Sequence, residues 1–385
     1  MARIDSVLVP MDEYMNHQIA ETFASVQQSD RSWTEKICLC VAAKDGSISL
    51  GFGLGKYINR NVMDAYGAVS RGVEQITVRG SRQLSPDTDT YSVGPLHYEI
   101  VEPLKRIRVR LEENDVQPIS FDVMLQCEDI PPFLEEHEFR RQLGAYRVDT
   151  DLVRYHQVGV ASGWIKVDGK THDVTPDTFF CTRDHSWGVR YGVGETPTDI
   201  QPGLDSTKFP MNFHWSPMRL VRPDGSVYGI HHFYLNIPIP GVAKIIQGGI
   251  EHADGSRDEF ADIESDLNYH PDTRRLLGGD IHLTLKSKEK RTLNLEVVSD
   301  TGVHLGAGMY FGFDGHHHGQ WRGELNLEGE RFDDCTDIEA LKRLHQIRDC
   351  IVKVTDGDAV GYANIQTVIN GVWEDHGLLK EAEFI

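Results

Sequence analysis

Asp-Gly pairs recur between short runs of β-forming residues along most of the chain, at Asp45-Gly46, Asp168-Gly169, Asp224-Gly225, Asp254-Gly255 and Asp314-Gly315. Such a pair accepts the positive φ angles of a tight turn, so each reads as the tip of a β-hairpin. The intervening runs have the period of strands: in Arg106-Ile-Arg-Val-Arg-Leu111, Ile107, Val109 and Leu111 fall on one face and three arginines on the other. A chain made of consecutive hairpins is confined to antiparallel sheets, and such sheets hide their edges by curling or closing. The expected class is mostly β, as two antiparallel β-barrel domains with a few short helices.

At 385 residues the chain exceeds one ordinary domain. A stretch with Gly194, Pro197, Pro202, Gly203 and Pro210 carries almost no apolar periodicity. The expected division is therefore residues 1–195, a linker at 196–210, and residues 211–385. A gapless match of Gly163–Asp173 on Gly323–Asp333 suggests that the two halves are similar. Helical spacing is confined to 11–29 (Met15, Ile19, Phe23, Val26) and to 338–351, which the capping box Thr336-Asp-Ile-Glu339 opens. Residues 131–149 read as a polar excursion with one helical turn. Gly51, Gly53 and Gly55 share a strand face, which marks sharp coiling or close approach by another segment rather than a nucleotide loop.

Lysine and arginine number 39 against 59 acidic residues, a net charge of −20. That field repels phosphate backbones and anionic lipid, so neither nucleic acid nor membrane insertion is expected. No run reaches the roughly 20 apolar residues of a membrane span, and the start lacks a secretory segment. The six cysteines are scattered and form no CxxC pair. Together these place the chain in the cytoplasm with free, buried thiols.

Chemistry concentrates in Thr178–Arg190, where a β-branched and aromatic run ends in Arg183-Asp-His-Ser-Trp187. Strand alternation puts Arg183, His185 and Trp187 on one face and Asp184, Ser186 and Gly188 on the other, and Gly188 permits a bulge that would re-aim them. The stretch reads as the floor of a ligand pocket; the alternative is a strand corner tied by Arg183 and Asp184 and plugged by Trp187. A carboxyl desolvated beside Phe179, Phe180 and Trp187 would hold its proton and serve as a general acid, with Arg183 or Arg190 opposing that. His185 would orient it or act as partner base, and Trp187 would offer a π-face. In the second half His214, Trp215, His232 and Tyr234 are candidates to face this site, with Tyr234 a further catalytic candidate; each also reads as a core or rim residue. His316-His-His318 reads as a solvated turn, because three consecutive histidines of an extended chain cannot all point one way.

The Asp184-His-Ser-Trp-Gly188 string resembles the Asp-His-x-Trp-Gly signature of the lipocalin-like superfamily of carotenoid 1,2-hydratases and AttH-type proteins. Val93-Gly-Pro-Leu96 and Glu102–Arg108 support the likeness. The resemblance implies paired lipocalin-like barrels, and cofactor-independent lyase, hydratase or isomerase chemistry on a hydrophobic aromatic or isoprenoid molecule, without metal or organic cofactor. It also implies that Asp184 is the proton donor. Where a tyrosine typically lies two residues before that aspartate this chain has Thr182, which removes a phenol able to hold a cationic intermediate and argues against carotenoid hydration itself. The non-catalytic alternative is a lipocalin-like binder of the same kind of molecule. A homodimer is compatible with either, and the substrate and reaction direction are not legible.

Overall fold

The computed structural model describes residues 8–18, 29–135, 137–141, 147–195, 197–201, 209–239, 242, 244–299 and 302–385. Two barrel-like antiparallel sheets with a few short helices make up the two-domain, lipocalin-like architecture expected above. In the first sheet the strands run in the order Leu325–Phe332, Glu74–Gln83, Val62–Arg71, Ser49–Tyr57, Trp33–Ala43, Phe179–Val189, Val148–Val167, Ile119–Gln126, Arg106–Leu111, Leu96–Glu102 and Ser92–Val93. In the second, eight strands close on themselves: Met211–Val221, Val227–Asn236, Ile245–His252, Arg257–Tyr269, Leu276–Leu285 and Lys290–Val297, then Arg348–Asp356 and Ala359–Asn370 back to the start. Lys290–Val297 pairing with Arg348–Asp356 makes the closure, which leaves no free edge in that ring. Among the described residues no helix is long and apolar enough to cross a membrane.

Each barrel is filled by one face of its strands. Ile37, Leu39, Val41, Leu50, Phe52, Leu54 and Phe121 meet in the first core, and Met218, Ile230, Ile263, Ile281, Val352 and Ile365 in the second. The opposite faces of Trp33–Ala43 and Phe179–Val189 are also buried, because the second barrel packs on them. Cys40, Ala42 and Phe180 touch Ile351 of the second barrel, Phe180 stacks on Tyr362 at 6.0 Å, and Thr182 Oγ1 donates to Asn364 Oδ1 at 2.6 Å. These strands thus present one face to a barrel interior and the other to the seam between barrels.

Several expectations change. Within 11–18 the structure has only a 3-10 turn at Pro10–Glu13, and residues 19–28 lie outside the described ones. The second helix stops at Leu344, because His345 takes a positive φ of 62° and Arg348 begins a strand. The region 131–149 carries short strands at Phe133–Leu134 and Glu138–Arg141 on the long strand Val148–Val167, with 136 and 142–146 outside the described residues. The supposed repeat is not one. Gly163–Asp173 is a hairpin arm, while Leu325–Phe332 lies flat as an edge strand of the first sheet with Glu328-Gly329 paired in mid-strand. The three glycines are indeed approached closely: a Cβ at Gly53 would stand 2.4 Å from the Tyr66 ring. All six cysteines are free and buried.

Candidate functional site

Strand Phe179–Val189 sorts the motif onto two faces without a bulge across Asp184 and His185; both keep register with Cys38 and Ile37 on one side and His156 and Tyr155 on the other. The inward face carries Arg183, His185 and Trp187. Arg183 forms a fully buried bidentate pair with Glu13, at 2.7 and 2.6 Å, and takes Tyr98 and Gln157 as further partners. His185 lies 2.9 Å from Glu35 and 3.2 Å from the Tyr155 hydroxyl, and Trp187 stacks on His17 at 3.6 Å. This network closes the mouth of the first barrel over the Pro10–Glu13 turn. His185 and Asp184 therefore do not meet, because adjacent strand residues point oppositely.

His214, His232 and Tyr234 fall inside the second barrel. His214 Nδ1 and His232 Nε2 are 2.7 Å apart, and the Tyr234 ring stacks on His214 at 4.4 Å. Burial holds His214 down to about 3, so the pair stays neutral. Of the catalytic and substrate-binding candidates read from the sequence, the structure brings Asp184, Arg190 and Trp215 to the seam between barrels.

At that seam Asp184 keeps 14 % of its side-chain surface accessible while packed among polar groups. Desolvation raises its carboxyl above the usual aspartate range, opposed by the Arg154 and Arg190 guanidinium groups. Arg154 Nε lies 3.7 Å away and Arg190 donates to Ser186 Oγ one turn of the pleat along. Across the seam, Asp349 of the second barrel accepts from Asn364 and Gln366 at 2.7 and 2.9 Å. Burial pushes it up to about 6, and Asp184 adds to the rise. Two neighbouring carboxyls of this kind disfavour simultaneous ionisation.

The sequence reading missed the base side of this site. Lys36 lies on the same face of Trp33–Ala43 as Cys38, fully buried, with its ammonium 2.6 Å from His318 Nε2 and 3.9 Å from the centroid of Tyr310. His318 in turn reaches Asp64 at 3.5 Å, and Asp64 accepts from Tyr57 and from the Gly319 amide. His318 is thus no solvated turn residue; the turn folds it inward against Lys36. Desolvation lowers Lys36 to about 7, so both its forms are populated at neutrality. The available signal was Glu35-Lys36, two charges inside a strand whose other residues are apolar or small.

A second cluster was also missed. Glu135 sits on the seam with Arg154 at 3.3 Å, His156 at 3.3 Å, His231 at 3.1 Å and the Trp215 indole N–H at 3.4 Å. His231, the neighbour of the inward His232, points out of the second barrel and stacks on His156 at 3.6 Å.

Comparison of the fold finds an AttH-like protein from Nitrosomonas europaea at 14 % identity and a TM-score of 0.50, covering 87 % of this chain and 92 % of that one. CghA is similar at 12 % identity with a TM-score of 0.50, covering 95 % and 94 %. Kievitone hydratase from Nectria haematococca aligns at 12 % identity over 87 % and 88 %, with a TM-score of 0.40. At these identities the likeness is one of fold alone. No curated protein matches the sequence. The sequence profile of a family of unknown function, DUF8625, matches residues 8–379, and the chain belongs to that family.

Proposed function

We propose that the chain is an acid–base enzyme of the lyase, hydratase or isomerase type, acting on a hydrophobic aromatic or isoprenoid small molecule held at the seam between the barrels. The observation that carries this reading is the placement of Asp184 there, desolvated yet accessible, among Arg154, Arg190, Lys36 and Asp349. A passive apolar cup has no use for so many ionisable groups, whereas moving a proton onto and off carbon requires them.

In this reading Asp184 is the acid. Its proton goes to the substrate, and Arg154 and Arg190 hold the carboxylate that remains. Lys36, near 7 and backed by His318 and Asp64, takes or returns the second proton. The faces of Tyr310 and Trp215 supply aromatic walls suited to an apolar substrate or a developing cation. His185 and Tyr234 have no part, since their partners lie inside the barrels. A screen of aromatic and isoprenoid alkenes and alcohols, read by mass for gain or loss of water or for a new isomer, tests the proposal with Asp184→Asn run beside the wild type. Turnover lower by about 10²-fold or more with ligand binding kept supports it. Binding without turnover in the wild type means a carrier instead.

A further inference from the structure

Glu135, His156 and His231 are brought together from three separate segments, two of the first barrel and one of the second, and all three are buried. Their ligating atoms lie within 4.8 Å of one another, with His156 Nδ1 3.3 Å and His231 Nε2 3.1 Å from Glu135 Oε1. We infer that this cluster is a binding site for one divalent transition-metal ion of the imidazole-preferring kind, zinc or iron(II). The inference is independent of the role given to Asp184, and it departs from the metal-free chemistry that the superfamily resemblance implies.

Three observations carry it. The first is angular. Although both ring nitrogens stand at hydrogen-bond range of Glu135 Oε1, neither makes a hydrogen bond among the described residues, and both are buried. Buried imidazole nitrogens left without a well-directed hydrogen bond are rare and call for an explanation. The second is the contrast with the other His-Glu-His group, His17, Glu35 and His185, which forms true hydrogen bonds at 2.6 and 2.9 Å and needs nothing further. The third is spacing: zinc–nitrogen and zinc–oxygen bonds of about 2.0–2.1 Å place tetrahedral ligand atoms about 3.3 Å apart, close to the 3.3 and 3.1 Å from Glu135 Oε1 to the two imidazoles.

The surroundings complete the set. Arg154 holds the other Glu135 oxygen at 3.3 Å, and Trp215 donates to Oε1 at 3.4 Å, so the carboxylate is oriented as second-layer partners orient metal ligands. Arg154 is matched by Glu135 itself, and Arg257 over the Phe133 ring is matched by Glu251, so the cations nearby do not leave the cluster positive. Two imidazoles and one carboxylate leave open coordination positions, the arrangement of catalytic rather than structural sites. An ion there would polarise an oxygen of a molecule bound at the seam.

Chelator-stripped full-length protein titrated with Zn2+ is expected to take up one ion per chain, and Co2+ loading is expected to give visible ligand-field bands that Zn2+ abolishes. Glu135→Gln and His231→Ala should lose that ion, while His17→Ala, at the hydrogen-bonded cluster, should keep it. Folded Glu135→Gln or His231→Ala protein that retains the wild-type stoichiometry overturns the inference. So does wild type that binds no Zn2+. If the two variants do not fold, the His17→Ala protein decides: visible Co2+ bands support the site, and a spectrum no different from free Co2+ overturns it.

Discussion

Asp184 and Arg183 are adjacent in sequence and opposite in duty. Arg183 is sealed in the barrel mouth against Glu13, and breaking a buried pair leaves one charge without compensation. Glu13→Gln is expected to lower stability by about 3–5 kcal/mol in urea denaturation, with Glu13→Met/Arg183→Met recovering much of the loss. Asp184→Asn should change stability little, since its desolvated carboxyl is relieved rather than orphaned, and should remove turnover instead. Lys36→Met should likewise cut turnover by about 10²-fold, with substrate affinity retained. Asp184 was legible because a carboxylate beside an imidazole and close to an indole is unusual within a strand. Lys36 was not, because nothing local says that His318 will fold down on it from the far half of the chain.

Strand Phe179–Val189 does its sorting by being regular. The one irregular point is Gly188, at φ +135°, where a Cβ would stand 2.0 Å from the Asp151 carbonyl oxygen. Gly188→Ala is therefore expected to destabilise by about 1–3 kcal/mol and to loosen the pairing with Val148–Val167, readable as faster amide exchange along both strands. The hairpins were readable from their Asp-Gly tips, and the alternation correctly separated Asp184 from His185. The polar excursion was not readable as strands: Phe133–Leu134 is only two residues long, and its order comes from pairing with Tyr155 and His156. That pairing is what carries Glu135 to the seam. The helix after Asp337 was read too long because Ile347 continues the apolar stripe, whereas His345 at positive φ ends the helix before it.

For the whole molecule, the seam between barrels gathers ionisable groups, and neutral histidines are buried away from it, His214 inside the second barrel and His304 beside Gln75 and the His345 carbonyl. His214 and His304 are both held near 3 by burial. An unfolded chain protonates them near 6.5 and the folded one does not, so stability is full above about pH 6.5 and falls by about 1.4 kcal/mol per pH unit per histidine on the way down toward 3. A urea series between pH 7 and 4.5 should show that slope, reduced when His304 is replaced by Gln; a flat profile contradicts the neutral assignment. Barrel number and strand type were visible in the sequence because they follow from local pattern. Closure of Lys290–Val297 on Arg348–Asp356, and the crossing of Leu325–Phe332 into the first sheet, were not, because they are pairings between segments whose local patterns name no partner.

The central claim is that Asp184 is an acid held protonated at the seam, and carboxyl-carbon NMR on aspartate-labelled, metal-free protein tests it without a substrate. One resonance should vanish in Asp184→Asn, and in the wild type that resonance should titrate above the ordinary aspartate range, as its desolvation requires. A resonance that titrates at or below the ordinary value would show that Arg154 and Arg190 outweigh burial, and the acid role would be lost.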